Sequence, residues 1–146
     1  MKTLITIATL LLAVVSTNAQ IANISTRGRV GINQDVLIAG FILDSEATIV
    51  IRALGPTLAQ YQIQDYLPDP MLTLYDENFN IIAINDDWDR LNNTATLLGA
   101  FAPADSRESA VVMTLPAGKY TAVMLGYAQC VGVGLVEVYK LPPPQQ

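Results

Sequence analysis

Apolar runs of five to eight residues, each closed by Gly, Pro, Asn or Asp, recur from Val36 to Tyr139. Runs of that length at such short spacing read as strands, and they leave little room for helices. VLIAGFIL (Val36 to Leu43) is apolar on both faces, the pattern of a strand covered on both sides or waiting to be covered. TIVIRAL (Thr48 to Leu54) alternates, setting Ile49, Ile51 and Ala53 against Thr48, Val50 and Arg52. MLTLY and NIIAI flank the polar turn Asp76-Glu77-Asn78 and predict a hairpin. AVVMTL and YTAVML flank Pro116-Ala117-Gly118, a turn signature that predicts the firmest hairpin in the chain. GVGLVEVY (Gly132 to Tyr139) is stopped by Leu141-Pro142-Pro143-Pro144, which cannot join a central ladder. Ile21 to Val30 is a weaker strand candidate.

Helix signals are few. Leu91 to Phe101 has helical spacing, and one helical turn is expected after Pro56 within the long connection Gly55 to Pro70. The chain is therefore expected to be all-β, an antiparallel β-sandwich of jelly-roll or Ig-like kind with one short helix.

Residues 1–19 carry a charged start (Lys2), an apolar run from Leu4 to Val15 and a small-residue exit at Thr17 and Ala19. That is the make-up of a secretory signal peptide, whose apolar stretch is too short for an ordinary membrane span. A single domain over residues 20–140 and a Pro-rich tail over 141–146 complete the expected organisation. The formal charge is −5, and loss of Lys2 with the leader makes it one unit more negative. An acidic chain with no basic run repels phosphate backbones, so neither nucleic acid nor an anionic membrane is an expected partner.

Histidine is absent and Cys130 is the lone cysteine. Their scarcity removes serine and cysteine triads, most zinc sites and any disulfide framework, so an exported fold must rest on its core. Asp86 and Asp87 are sequence neighbours whose side chains leave an extended backbone in opposite directions, a poor acid–base pair.

Three sets of residues remain as candidates. Calcium takes hard oxygen ligands gathered in a loop, which Asp86, Asp87 and Asp89 could supply with Asn85, joined by Asp76 or Asp69. The competing reading is a solvated turn whose carboxylates cap backbone donors. Trp88, the single tryptophan, with Tyr61 and Tyr66 could stack on a polysaccharide, although a tryptophan at a strand end also serves as a core plug. Arg52 points outward from an apolar strand and is expected to meet a carboxylate. Cys130 is either a semi-buried thiol or a link between subunits.

The succession ANISTRGRVG (from Ala22), VLIAGFI (from Val36), IRALGPTL (from Ile51), LPDPMLTLYD (from Leu67), NDDW (from Asn85), AGKYTAVMLG (from Ala117) and VGLVEVY (from Val133) resembles a module of secreted bacterial surface proteins. DPMLTLYDENFNIIAINDD with LPAGKYTAVMLGY is also similar, over part of the chain, to bacterial pre-peptidase C-terminal domains. Those are small jelly-roll-like sandwiches attached to secreted enzymes, some binding calcium or polymers. Both resemblances imply an extracellular, non-catalytic role. The expected function is a secreted structural subunit whose partner is itself, assembling by β-strand addition into a filament or surface matrix. The strand donor would be Gln20 to Val30, with Ile21, Ile24 and Val30; the acceptor would be the strand carrying Val36, Ile38 and Phe41. The alternative is a monomeric module for polysaccharide or cell surface, with or without calcium.

Overall fold

The computed structural model describes residues 23–88 and 98–142. Eight strands run β1 (Asn23–Val30), β2 (Leu37–Leu43), β3 (Ala47–Leu54), β4 (Pro70–Tyr75), β5 (Ile81–Asn85), β6 (Ser109–Leu115), β7 (Gly118–Gly126) and β8 (Gly132–Lys140). They form two four-stranded antiparallel sheets, one ordered β1-β8-β3-β6 and the other β2-β7-β4-β5. The first is called sheet A and the second sheet B. The all-β sandwich expected from the alternating runs is what the chain builds.

Alternation decides which side chains meet between the sheets. Ile49, Ile51 and Ala53 from β3, Leu72 and Leu74 from β4, Ala122 and Met124 from β7 and Val136 from β8 are fully buried there. At ~25 cal/mol per Å² of apolar surface removed from water, each large aliphatic side chain contributes about 2 kcal/mol, which is how a disulfide-free sandwich is held. Gly134 faces Met124, whose methyl occupies the place a side chain at 134 would take.

Among the described residues only β4 and β5 form a hairpin, with one register irregularity between Leu74 and Tyr75. The hairpin predicted around Pro116-Ala117-Gly118 is not one: β6 lies in sheet A and β7 in sheet B. The turn reverses the chain as its residues demand, but it arches across the core, and the Tyr120 hydroxyl donates back to the Pro116 carbonyl at 2.9 Å. A turn signature specifies reversal, and two inward-facing apolar strands are satisfied equally by pairing or by facing each other across a core.

The helical turn expected after Pro56 is a 3₁₀ turn, Pro56–Tyr61. Of the helix expected over 91–101, residues 91–97 lie outside the described residues, and the described part ends in a 3₁₀ turn, Gly99–Phe101. Residues 1–22, with the leader, and the end of the tail also lie outside them. Among the described residues no helix is long and apolar enough to cross a membrane.

The longer connections, 31–36, 55–69 and 127–131, fall at one end of the sandwich with the described residues 86–88 and 98–108, and the short turns 44–46, 76–80 and 116–117 fall at the other. Loop length at one end gives that end the variable surface of the fold.

Candidate binding surfaces of the sandwich

The loop end is organised by three buried polar side chains, Asn85, Ser109 and Glu108. Asn85 closes the junction between the sheets: its amide nitrogen donates to the Asp87 carbonyl at 3.0 Å, and its oxygen accepts from the Ala110 N–H at 2.7 Å. The Ser109 hydroxyl sits beside it, within hydrogen-bond distance of the Pro70, Asn85 and Asp86 carbonyls. Glu108, 0% exposed, accepts from the N–H groups of Gly55 and Thr57 at 2.9 and 2.8 Å and from the Thr57 hydroxyl. It thereby fixes the 3₁₀ turn that follows. Sequence reasoning passed over Glu108; a lone Glu before the apolar run SAVVMTL was its only mark.

That turn walls a groove of about 460 Å³ on the outward side of sheet A. Leu54 and Leu135 lie in the groove with Ser25, Arg27 and Glu137, and Thr57, Leu58, Tyr61 and Ile63 line the wall. Glu137 is tied to Arg52, whose Nε donates to it at 2.9 Å, and the Tyr139 hydroxyl donates to it at 2.8 Å. Arg52 also donates to the Phe101 carbonyl and lies over the Tyr139 ring. The carboxylate partner expected for Arg52 is thus Glu137, in a pair that is mostly buried.

The three aromatic candidates do not converge. Tyr61 stands 71% exposed in the groove wall. Trp88 packs with Leu98, Val50 and Ala110 over the outward side of sheet A, its indole N–H donating to the Asp105 carbonyl at 2.9 Å and its backbone N–H to Glu108. It is a plug, as one of the two readings of an isolated tryptophan had it. Tyr66 is half-buried and bridges to Val133 through its backbone.

The calcium set is also not assembled as expected. Leu72 pairs with Asn85 and Tyr75 with Ile81, so Asp76 and Asp86 stand at opposite ends of the β4–β5 hairpin. Five residues of strand separate them, ~15 Å at about 3.3 Å each, too far to share an ion. Asp76 is used locally, accepting from the N–H groups of Asn78 and Asn80 and from the Asn80 side chain. Asn85 is likewise consumed, and Asp89 lies outside the described residues. Asp69 and Asp86 lend their backbone carbonyls to Cys130 and Ser109. Among the described residues no three acidic, Cys or His side chains gather in a metal-holding cluster.

The hydrogen bonds from Asn80, first its side chain and then its backbone, hold the Asp76 carboxyl below the ordinary aspartate range. A carboxylate favoured in the folded state lends its stability above the unfolded pKa and loses it as pH falls through the folded one. Titration by NMR is expected to place the Asp76 midpoint below 3.8, with the Asn78 and Asn80 amide shifts following it. A midpoint at or above that value would remove the capped-turn account. Burial pushes the Cys130 thiol up, and the thiol donates to the Asp69 carbonyl, so it is protonated at neutral pH.

The residues expected to associate separate into two groups. Val30 and Phe41 are inside the core, and Ile24 and Val36 are half-buried. Ile21 lies outside the described residues. The supposed strand donor is already placed: over 23–30 it pairs along its whole length with β8 of its own chain. Eight residues of antiparallel ladder within the chain correct the expectation that this segment is free for a neighbour. Ile38, by contrast, is 55% exposed.

Ile38 belongs to a larger surface. The strand registers align Ile38, Val123, Thr73 and Ile84 in one row across the outward side of sheet B, and Gly40, Thr121, Tyr75 and Ile81 in the next. Ile42 (68% exposed), Leu125 and Met71 extend the same side. Sheet A has Trp88, Leu98, Phe101 and Ala102 packed on its outward side, whereas Ile38, Ile42, Ile81 and Ile84 are exposed on that of sheet B. The two-faced composition of VLIAGFIL is accounted for by one covered face and one uncovered face.

No protein-family model matches the sequence, and no curated protein matches it. Among solved structures, the pre-peptidase C-terminal domain of a collagenase from Bacillus anthracis is similar over 80% of this chain and 88% of its own, with a TM-score of 0.51 and 18% identity. The likeness is one of fold, the two-sheet sandwich. The catalytic domain of a GH87 alpha-1,3-glucanase in complex with nigerose is matched over 85% of this chain but 27% of that one, at 14% identity and a TM-score of 0.35. Similarity at that level carries no functional weight.

Proposed function

We propose that the protein is a secreted, non-catalytic structural module that self-associates through sheet B into an extracellular filament or surface matrix. One observation carries this reading: four isoleucines of the two edge strands, Ile38 and Ile42 of β2 and Ile81 and Ile84 of β5, stand exposed on the outward side of sheet B, with half-buried Val123 and Tyr75 in the rows between. Contiguous apolar surface of that kind marks an interaction site in a soluble protein. The secreted setting rests on the leader-like residues 1–19 and on the resemblance to bacterial surface modules. The non-catalytic role rests on the absence of histidine and on the structural employment of Glu108, a fully buried carboxylate. The alternative, a monomeric module for polysaccharide, is favoured by Tyr61 at the groove beside Arg27.

Sedimentation velocity and negative-stain microscopy across a concentration series test the first reading. Mass is expected to grow with concentration, and Ile84→Lys, on the exposed side of β5, is expected to weaken that growth at least tenfold without altering the far-ultraviolet spectrum. A monodisperse monomer at every concentration would overturn self-association and leave the groove as the functional surface.

A further inference from the structure

Each sandwich sheet ends in two strands with unpaired backbone groups, and such edges are normally protected by charge, proline, shortness or a bulge. β5 is short and irregularly paired, and β1 carries Arg27 and Arg29. β6 and β2 have none of these protections within them, each being seven residues, uncharged and regular in register along its one partner; of the two it is β2, LIAGFIL, that carries exposed isoleucines, Ile38 and Ile42.

Its sequence is close to symmetric about Gly40. Reading outward from that residue gives Ala39 and Phe41, then Ile38 and Ile42, then Leu37 and Leu43. Gly40 itself has no employment in its own chain. Its φ is not in the left-handed region, no bulge interrupts the strand, and the nearest atom to a side chain built there is the Tyr120 carbonyl oxygen at 4.0 Å. A mid-strand glycine costs stability and commonly marks a close approach from outside.

We infer that a second copy of this chain pairs antiparallel along β2, about a two-fold axis through Gly40. This rests on the self-association proposed above and specifies its contact. In that register Ile38 of one copy lies beside Ile42 of the other on the exposed side, Leu37 lies beside Leu43, and small Ala39 lies beside large Phe41. Gly40 meets Gly40 on the axis and leaves room for four isoleucines to lean together. Such an interface is isologous, the same strand serving on both sides. It joins two copies of sheet B into one eight-stranded sheet whose outer side carries the exposed isoleucines of both copies. The pair is a closed unit, and growth into a filament proceeds through that outer side.

The strip of contact is about 23 Å long and ~10 Å deep, so each copy buries a few hundred Å², below the roughly 800 Å² of a standard stable interface. Asp35 and Asp44 stand at the two ends of the strand and oppose approach until salt screens them. A contact of this size is transient, so cross-linking at physiological salt is the measurement to use.

In a Cys130→Ser background, Gly40→Cys brings two thiols within the ~5 Å spacing of neighbouring antiparallel residues, inside disulfide reach. Under mild oxidation it is expected to form a covalent dimer at least tenfold faster than Ile38→Cys or Ile42→Cys alone, whose like positions lie about 13 Å apart across the axis. Mixing the Ile38→Cys and Ile42→Cys proteins is expected to yield the mixed dimer. Equal rates at all three positions, or dimers only from Ile42→Cys, would overturn the Gly40 register while self-association stands. If no position cross-links and the protein sediments as a monomer, both readings fall. Cross-linking only to a different protein from the same medium would replace the second copy with a foreign strand and refute the pairing.

Discussion

Glu108→Ala is expected to lower the unfolding free energy by about 3 kcal/mol, a fall of roughly 10 °C in Tm for a domain of this size. The carboxylate is 0% exposed and serves the N–H groups of Gly55 and Thr57 and the Thr57 hydroxyl, with the Asp105 N–H further off at 3.4 Å. Alanine leaves these donors without their acceptor, and each buried donor left unmade costs about 1–3 kcal/mol. Water reaching the half-buried Thr57 offsets part of that, which is why the total is set at the lower end of the sum. Glu108→Gln keeps one oxygen for the two backbone donors and should lose about half as much. Thermal unfolding followed by circular dichroism measures both, and hydrogen exchange at the Thr57 amide reports the turn directly. A loss under ~1 kcal/mol for the alanine variant would show that Glu108 does not organise the groove wall.

Gly55→Ala is expected to cost about 3 kcal/mol, for a different reason. A Cβ at this position would stand 1.9 Å from the Leu67 carbonyl oxygen, a backbone atom with no rotamer to change. Leu67 cannot withdraw freely, because its side chain is fully buried and its N–H donates to the Val133 carbonyl at 2.7 Å. Either the connection 55–67 moves as a body or the Leu67 bond to β8 breaks. Gly40→Ala supplies the contrast, with open space at the new methyl and an expected change within ~0.5 kcal/mol in dilute monomer. Denaturant midpoints for the two variants should therefore differ widely. Equal midpoints would mean that Gly55 is not placed by close packing.

Sequence reading reached the strands because side-chain alternation is a local property. TIVIRAL divides into Ile49, Ile51 and Ala53 inward and Thr48, Val50 and Arg52 outward, as its period of two requires. The Asp76 turn was equally legible, since its hydrogen bonds run to Asn78 and Asn80 close by in the chain. Partners distant in sequence were not legible: Arg52 was expected to meet a carboxylate, but nothing in the chain singled out Glu137 from the other acids.

What the residues determined alone was an all-β chain of short alternating strands, closed by turns at the right places and lacking the side chains of common hydrolytic sites. Which strands neighbour one another was decided by tertiary packing, because an inward apolar face is satisfied by any partner that buries it. Hence β6 and β7 part into different sheets across Pro116-Ala117, β1 is taken up by β8, and Asp76 is carried away from Asp86. The exposed isoleucines of β2 follow from the same cause: VLIAGFIL is apolar on both faces wherever it lies, and the packing of the two sheets decided which face is buried.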